Sequence, residues 1–92
     1  MTDDNADKNT AIQFPTEFPI KIMGKKNDEF ETAALSIIRT HVPELEQTAI
    51  TQRVSKNGNY IALTVTITAQ SKIQLDAIYQ ALSDCEHVLM AL

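Results

Sequence analysis

The sequence predicts an α+β domain in which one antiparallel sheet of four strands is covered on one face by two helices. Three observations lead there. Residues 60–69 alternate, with Ile61, Leu63, Val65, Ile67 and Ala69 set against Tyr60, Ala62, Thr64, Thr66 and Thr68. A strand sends successive side chains to opposite faces, so this run belongs to a sheet with one buried face. A second β-patterned run, residues 48–54, precedes it across Ser55-Lys56-Asn57-Gly58-Asn59. Asn57-Gly58 there is expected to supply the positive backbone angles of a tight hairpin connection. Finally, a helical pattern stands on each side of this hairpin, with a short strand pattern at either extreme. The order is therefore β-α-β-β-α-β. Its compact solution is the ferredoxin-like split βαβ, with strand order 4-1-3-2 and both helices on the same side.

Each element has its own signals. Residues 1–13 carry almost no apolar side chains and are expected to be a disordered tail, with the domain occupying residues 14–92. Phe14-Pro15-Thr16-Glu17-Phe18-Pro19 follows, where two prolines force extended backbone, and Phe14 is expected to tack the tail to the domain. The first strand is expected at residues 18–23, with Phe18, Ile20 and Ile22 inward and Gly24 breaking the run. The first helix is expected to start at Asp28, which with Glu31 fits an acidic capping box. Phe30, Ala34, Ile37, Ile38 and His41 recur at helical spacing, and Pro43 forbids continuation. Ser71 with Gln74 forms a second capping box, and Leu75, Ile78 and Leu82 make the apolar stripe of the second helix. The last strand is expected at residues 87–92, with Val88, Met90 and Leu92 inward and His87, Leu89 and Ala91 outward.

Composition narrows the function classes. Ninety-two residues with 43% hydrophobic and 22% charged side chains make one soluble domain with one core. A formal charge of −4 disfavours a phosphate-backbone binder, which needs clustered Lys and Arg to displace counterions. Cys85 is the single cysteine, so no internal disulfide or cysteine-pair metal site can form. Cys85 reads as a small, half-buried apolar residue rather than a reactive thiol. No apolar run approaches the roughly 20 residues of a membrane span. The acidic N-terminus is the reverse of a signal peptide, so the cytoplasm is the expected location.

Two places are candidates for function. The predicted fold leaves one sheet face bare, and that face is expected to carry Lys21, Met23, Thr51, Arg53, Tyr60, Ala62, Thr64, Thr66, His87 and Leu89. It reads either as a solvated sheet surface, since Thr is a good strand former, or as a docking surface for a second copy or another protein. RNA-recognition domains of this topology stack bases on two outward aromatics of the third strand. Here Tyr60 is the lone aromatic of that strand, so no nucleic-acid role is expected. The second candidate is Gly24-Lys25-Lys26-Asn27, a loop before a helix N-terminus, where two lysines suit a phosphate or carboxylate. Asp28, Glu29 and Glu31 oppose a second anion there. The loop has neither the arginine of an acylphosphatase nor the thiols of a copper carrier. His41 and His87 have no ligand spacing, and no metal or other cofactor is expected.

Phe14-Pro15-Thr16-Glu17-Phe18, a strand closing in Met23-Gly24, and Ser55-Lys56-Asn57-Gly58-Asn59-Tyr60 together resemble the YbeD family of small bacterial proteins. Val88-Leu89-Met90-Ala91-Leu92 is similar to that family's last strand. The resemblance covers residues 14–92 and implies a ferredoxin-like fold akin to the ACT regulatory domains, with no catalytic residues to carry over. ACT domains pair with one another and bind small effectors near the loop after the first strand, the place Gly24 occupies here. The combined expectation is a non-catalytic regulatory or protein-interaction module, able to pair with itself or another protein and to take a small effector. The alternative is an enzyme or sensor with an anion site at residues 24–27.

Overall fold

Strand β1 (Thr16–Lys25) and strand β3 (Tyr60–Ala69) form the centre of the sheet, paired antiparallel along their whole length from Thr16 opposite Ala69 to Lys25 opposite Tyr60. Strand β2 (Ile50–Val54) flanks β3 and strand β4 (Val88–Ala91) flanks β1. The sheet order is β2-β3-β1-β4, the predicted 4-1-3-2 read from the other edge. Helices α1 (Asp28–His41) and α2 (Lys72–Ser83) complete the βαββαβ order. These features come from a computed structural model that describes residues 13–92. The expected N-terminal tail lies outside the described residues except for Gln13.

The inward set is the one alternation predicts. Ile20 and Ile22 of β1 and Ile61, Leu63, Val65, Ile67 and Ala69 of β3 are buried with Phe30, Ala34 and Ile38 of α1 and Leu75, Ile78 and Leu82 of α2. All belong to a single cluster, so both helices lie on the same sheet face. Phe14 packs against its margin.

Local chemistry departs from expectation in four places. Asn27, not Asp28, caps α1: its Oδ1 accepts from Phe30 N at 2.7 Å. A short amide side chain in extended backbone one residue earlier reaches the free N–H better than a carboxylate already inside the helix. At α2, Ser71 Oγ accepts from Gln74 N at 3.1 Å as expected, but Gln74 Oε1 reaches past it to Gln70 N at 2.7 Å. The start of the second β-run, Thr48 and Ala49, winds into a 3-10 turn (Gln47–Ala49), so β2 begins at Ile50. In the hairpin, Gly58 alone has positive φ, at 77°, and Asn57 does not. Gly58 N bonds Ser55 O at 2.9 Å, closing a turn over Lys56 and Asn57, and Gly58 then redirects the chain into β3.

The β4 edge is held from two sides. Leu92 exchanges backbone hydrogen bonds with Lys21, at 2.7 and 3.1 Å, and the Tyr79 hydroxyl donates to Leu92 O at 2.8 Å. Burial of the Tyr79 ring raises its pKa above the ordinary 10.0, because the phenolate would lose hydration. Its contribution to stability is therefore fully present below that ordinary value and is lost as pH rises through the higher folded value. Tyr79→Phe should cost about 0.5–1 kcal/mol at neutral pH. It should also flatten the alkaline fall in melting temperature, measured by circular dichroism in a pH series.

Candidate functional site

The loop after β1 does not gather its four candidate residues. Gly24 lies inside the strand rather than ending it, and is buried. The Phe30 ring occupies the space where a Cβ would stand, so a methyl at Gly24 would overlap Cγ, Cδ1 and Cε1 of that ring. Lys25 is also in the strand, and it pairs with Tyr60, which puts its side chain on the bare face of the sheet. Lys26 and Asn27 alone make the connection to α1. Their backbone N–H groups and the Asn27 side chain are engaged: Lys26 N bonds Asn59 O at 2.9 Å, Asn27 N bonds Lys25 O at 2.8 Å, and the Asn27 amide caps the helix. A shallow depression between this connection and β2 sets Lys26 beside the carboxylates of Asp28 and Glu31. The local charge there is negative, which disfavours an anion.

The bare sheet face is a continuous surface with a definite order. Side chains opposite each other across antiparallel strands share a face. One row runs Arg53, Ala62, Met23, Met90 from β2 to β4. The next runs Thr51, Thr64, Lys21, and then Leu92, which pairs with Lys21 through its backbone. Tyr60 with Lys25 lies beyond the first row, and Thr66 with Pro19, then Thr68 with Glu17, beyond the second. Met23, Tyr60, Met90 and Leu92 are exposed, at 37, 48, 50 and 63%. Eight of the ten predicted face residues are therefore brought together: Lys21, Met23, Thr51, Arg53, Tyr60, Ala62, Thr64 and Thr66.

The last strand is where the sequence reading goes wrong. Gly24 faces Val88 while Met23 faces Met90, so β4 carries a bulge with Leu89 as the extra residue. Beyond Leu89 the bulge reverses the phase expected, so that Val88 stays inward as expected while Met90, Ala91 and Leu92 exchange sides. Val88 and Ala91 pack against the core, whereas Met90 and Leu92 lie on the bare face. His87 precedes the strand and lines a hollow with Asp28, Thr32 and Ser36 of α1, on the helix side, so it is not part of the face. Val88-Leu89-Met90-Ala91-Leu92 is apolar at every position, and such a run has no period from which a phase can be read. Lys25, expected in the loop, joins the bare face for a different reason: a glycine reads as a strand end, and the contact that keeps Gly24 in the strand is tertiary.

Other chemistry-bearing groups are accounted for locally. His41 Nδ1 lies 3.0 Å from Ile37 O, and the His41 carbonyl accepts from Gln74 Nε2 at 3.1 Å, tying the end of α1 to α2. Cys85 is half-buried. A hollow of about 740 Å³ runs along the outer side of α1 between Asp28 and Thr40 and brings no second element to bear. Among the described residues no group of three or more His, Cys, Asp or Glu converges, and no helix is long and apolar enough to cross a membrane.

Fold and face together define a small ferredoxin-like α+β protein whose sheet, among the described residues, is covered on one side only. The chain belongs to the family described as Protein of unknown function (DUF493), whose profile matches residues 9–92. This is the small bacterial, YbeD-like family that the motifs indicated. It is 47% identical over 83 residues to UPF0250 protein NE1487 of Nitrosomonas europaea, covering 90% of this chain and 95% of that one. It is 43% identical over 86 residues to a UPF0250 protein of Chromobacterium violaceum, covering 94% and 97%. The solution structure of protein HP0495 from H. pylori superposes with a TM-score of 0.72 at 14% identity, over 100% of this chain and 98% of that one. The uncharacterized protein TM1266 from Thermotoga maritima gives 0.62 at 6% identity, over 83% and 92%. These two likenesses are of fold.

Two outcomes follow from the loop. Gly24→Ala should destabilise the domain by about 1–3 kcal/mol through overpacking on Phe30, in urea unfolding. Because φ at Gly24 is negative, the loss is steric, and Phe30→Leu should recover part of it. Sulfate should shift the melting temperature of the wild type and of Lys25→Ala/Lys26→Ala equally; a shift abolished by the double substitution would restore the loop as an anion site.

Proposed function

We propose that this protein is a non-catalytic interaction module that docks another protein on the bare face of its sheet. The observation that carries this reading is the row Ala62, Met23, Met90 with Leu92 beside it. Apolar side chains from three strands stand adjacent there, on the face the helices leave uncovered. Scattered exposed apolar residues are ordinary, but a contiguous group rimmed by polar side chains marks an interaction site. Met is a suitable contact residue, since its unbranched thioether adapts to different partner shapes. The threonines of the next rows give a flat rim able to hydrogen-bond. The dispersal of Gly24, Lys25, Lys26 and Asn27 over three environments favours this face over an anion site in the loop.

The test is affinity capture from cell extract with quantitative mass spectrometry, comparing the wild type with Met23→Gln/Met90→Gln. These changes keep volume and charge while making the row polar. Partners retained by the wild type should be lost from the variant at unchanged melting temperature. Identical captures from both proteins would overturn the reading.

A further inference from the structure

Charge on this molecule is sorted by face. Counting side chains, the bare face carries Lys21, Lys25 and Arg53 against one carboxylate, Glu17, a net of 3 − 1 = +2. The whole chain is −4, so everything else sums to −4 − 2 = −6. The placement of the cations matters more than the sum. Lys21 and Lys25 stand two residues before and after Met23 on the same strand face, about 7 Å away on either side. Arg53 ends the cross-strand row of Met23, two strands over, at about 10 Å. Glu17 is four residues from Lys21 along β1, about 13 Å, at the far end of the face. No described carboxylate lies within ion-pair distance of the three cations; the ion pairs among the described residues are Lys72–Asp76 and the His87–Glu86 contact. The apolar row is thus framed by cations in a chain that is otherwise acidic.

Resting on the docking reading above, we infer that the partner seated on this face is an acidic polypeptide segment with interspersed apolar side chains. Its apolar groups lie on Met23, Ala62 and Met90, and its carboxylates meet Lys21, Lys25 and Arg53. Charge complementarity selects this occupant over the others. A two-fold pair of copies through the same face would bring two faces of net +2 together, because such an interface uses the same patch on both copies. A nucleic acid would find the three cations but a single aromatic, Tyr60, at the corner, and the −6 on the remainder of the chain would repel a long polyanion. An acidic peptide satisfies both the apolar row and its frame, and rim charges of this kind act on encounter rate and on discrimination between partners.

The test uses the full-length ¹⁵N-labelled chain and short synthetic probes: a peptide alternating Asp and Leu, its Lys/Leu and Asp/Ser counterparts, and oligothymidylate. The Asp/Leu peptide should move the amides of Lys21, Met23, Ala62 and Thr64 and should bind more weakly as ionic strength rises. Lys21→Glu/Arg53→Glu should weaken it on the order of tenfold or more, and Lys21→Gln/Arg53→Gln by less, with amide spectra otherwise preserved. Equal or tighter binding of the Lys/Leu peptide overturns the inference, as does failure of the Asp/Leu peptide to perturb this face. Displacement of the peptide by oligothymidylate would reassign the face to nucleic acid. A doubled mass in light scattering that the charge reversal leaves intact would reassign it to a second copy. The two readings fail separately: if captured partners depend on Met23 and Met90 but survive charge reversal, the docking face stands and the acidic partner falls.

Discussion

The ring of Phe30 lying where a Cβ of Gly24 would be is the contact on which the arrangement of sheet and helices depends. It seats the first turn of α1 directly on the backbone of β1, closer than any side chain at position 24 would allow. The same residue is held from the other side, because the Phe30 N–H is the donor that Asn27 caps. With ring and amide both fixed, only Lys26 and Asn27 remain to connect strand to helix. Strand geometry therefore extends to Lys25, and that extension sends the Lys25 side chain to the opposite face of the sheet. A packing constraint in the core thus decides which lysine borders the helix and which borders the bare face.

The bare face follows from one-sided burial. Central strands β1 and β3 are paired over ten positions each, and Ile20, Ile22, Ile61, Leu63, Val65, Ile67 and Ala69 of this block enter the core with both helices. Nothing in the described residues covers the alternate set. Its composition is polar enough for water, through Thr51, Thr64, Thr66 and Thr68, yet it holds a compact apolar group at the β1–β4 side. A surface of this kind is stable alone and still gains by burying its methionines, which is the balance a reversible partner requires.

Legibility in the sequence tracked the strength of local periodicity. Residues 60–69 alternate so regularly that strand, phase and inward set were readable, and Leu75, Ile78 and Leu82 marked α2 equally well. Pro43 and the Ser71 cap placed helix ends because each acts through its nearest neighbours. Where local signals competed, the reading slipped by a residue or two. Asp28 and Asn27 are both competent caps, and only the backbone conformation chooses between them. Thr48 and Ala49 have β-pattern neighbours yet wind into a 3-10 turn, although β3 runs on beyond Val65, the partner of Ile50, to Ala69.

What the chain specifies unaided is therefore the order of its elements, the buried parity of its long strand, the sheet order, and the existence of an uncovered face. These follow from side-chain periodicity and the need to hide apolar surface, which act over a few residues at a time. The membership of that face at its β4 side was settled only in three dimensions. The bulge at Leu89 shows only in the pairing of β4 with β1, and it turns Met90 and Leu92 outward while Val88 stays inward, in a segment whose uniformly apolar sequence permits either phase. The same holds for Lys25, whose direction depends on a phenylalanine five residues later finding room against a glycine.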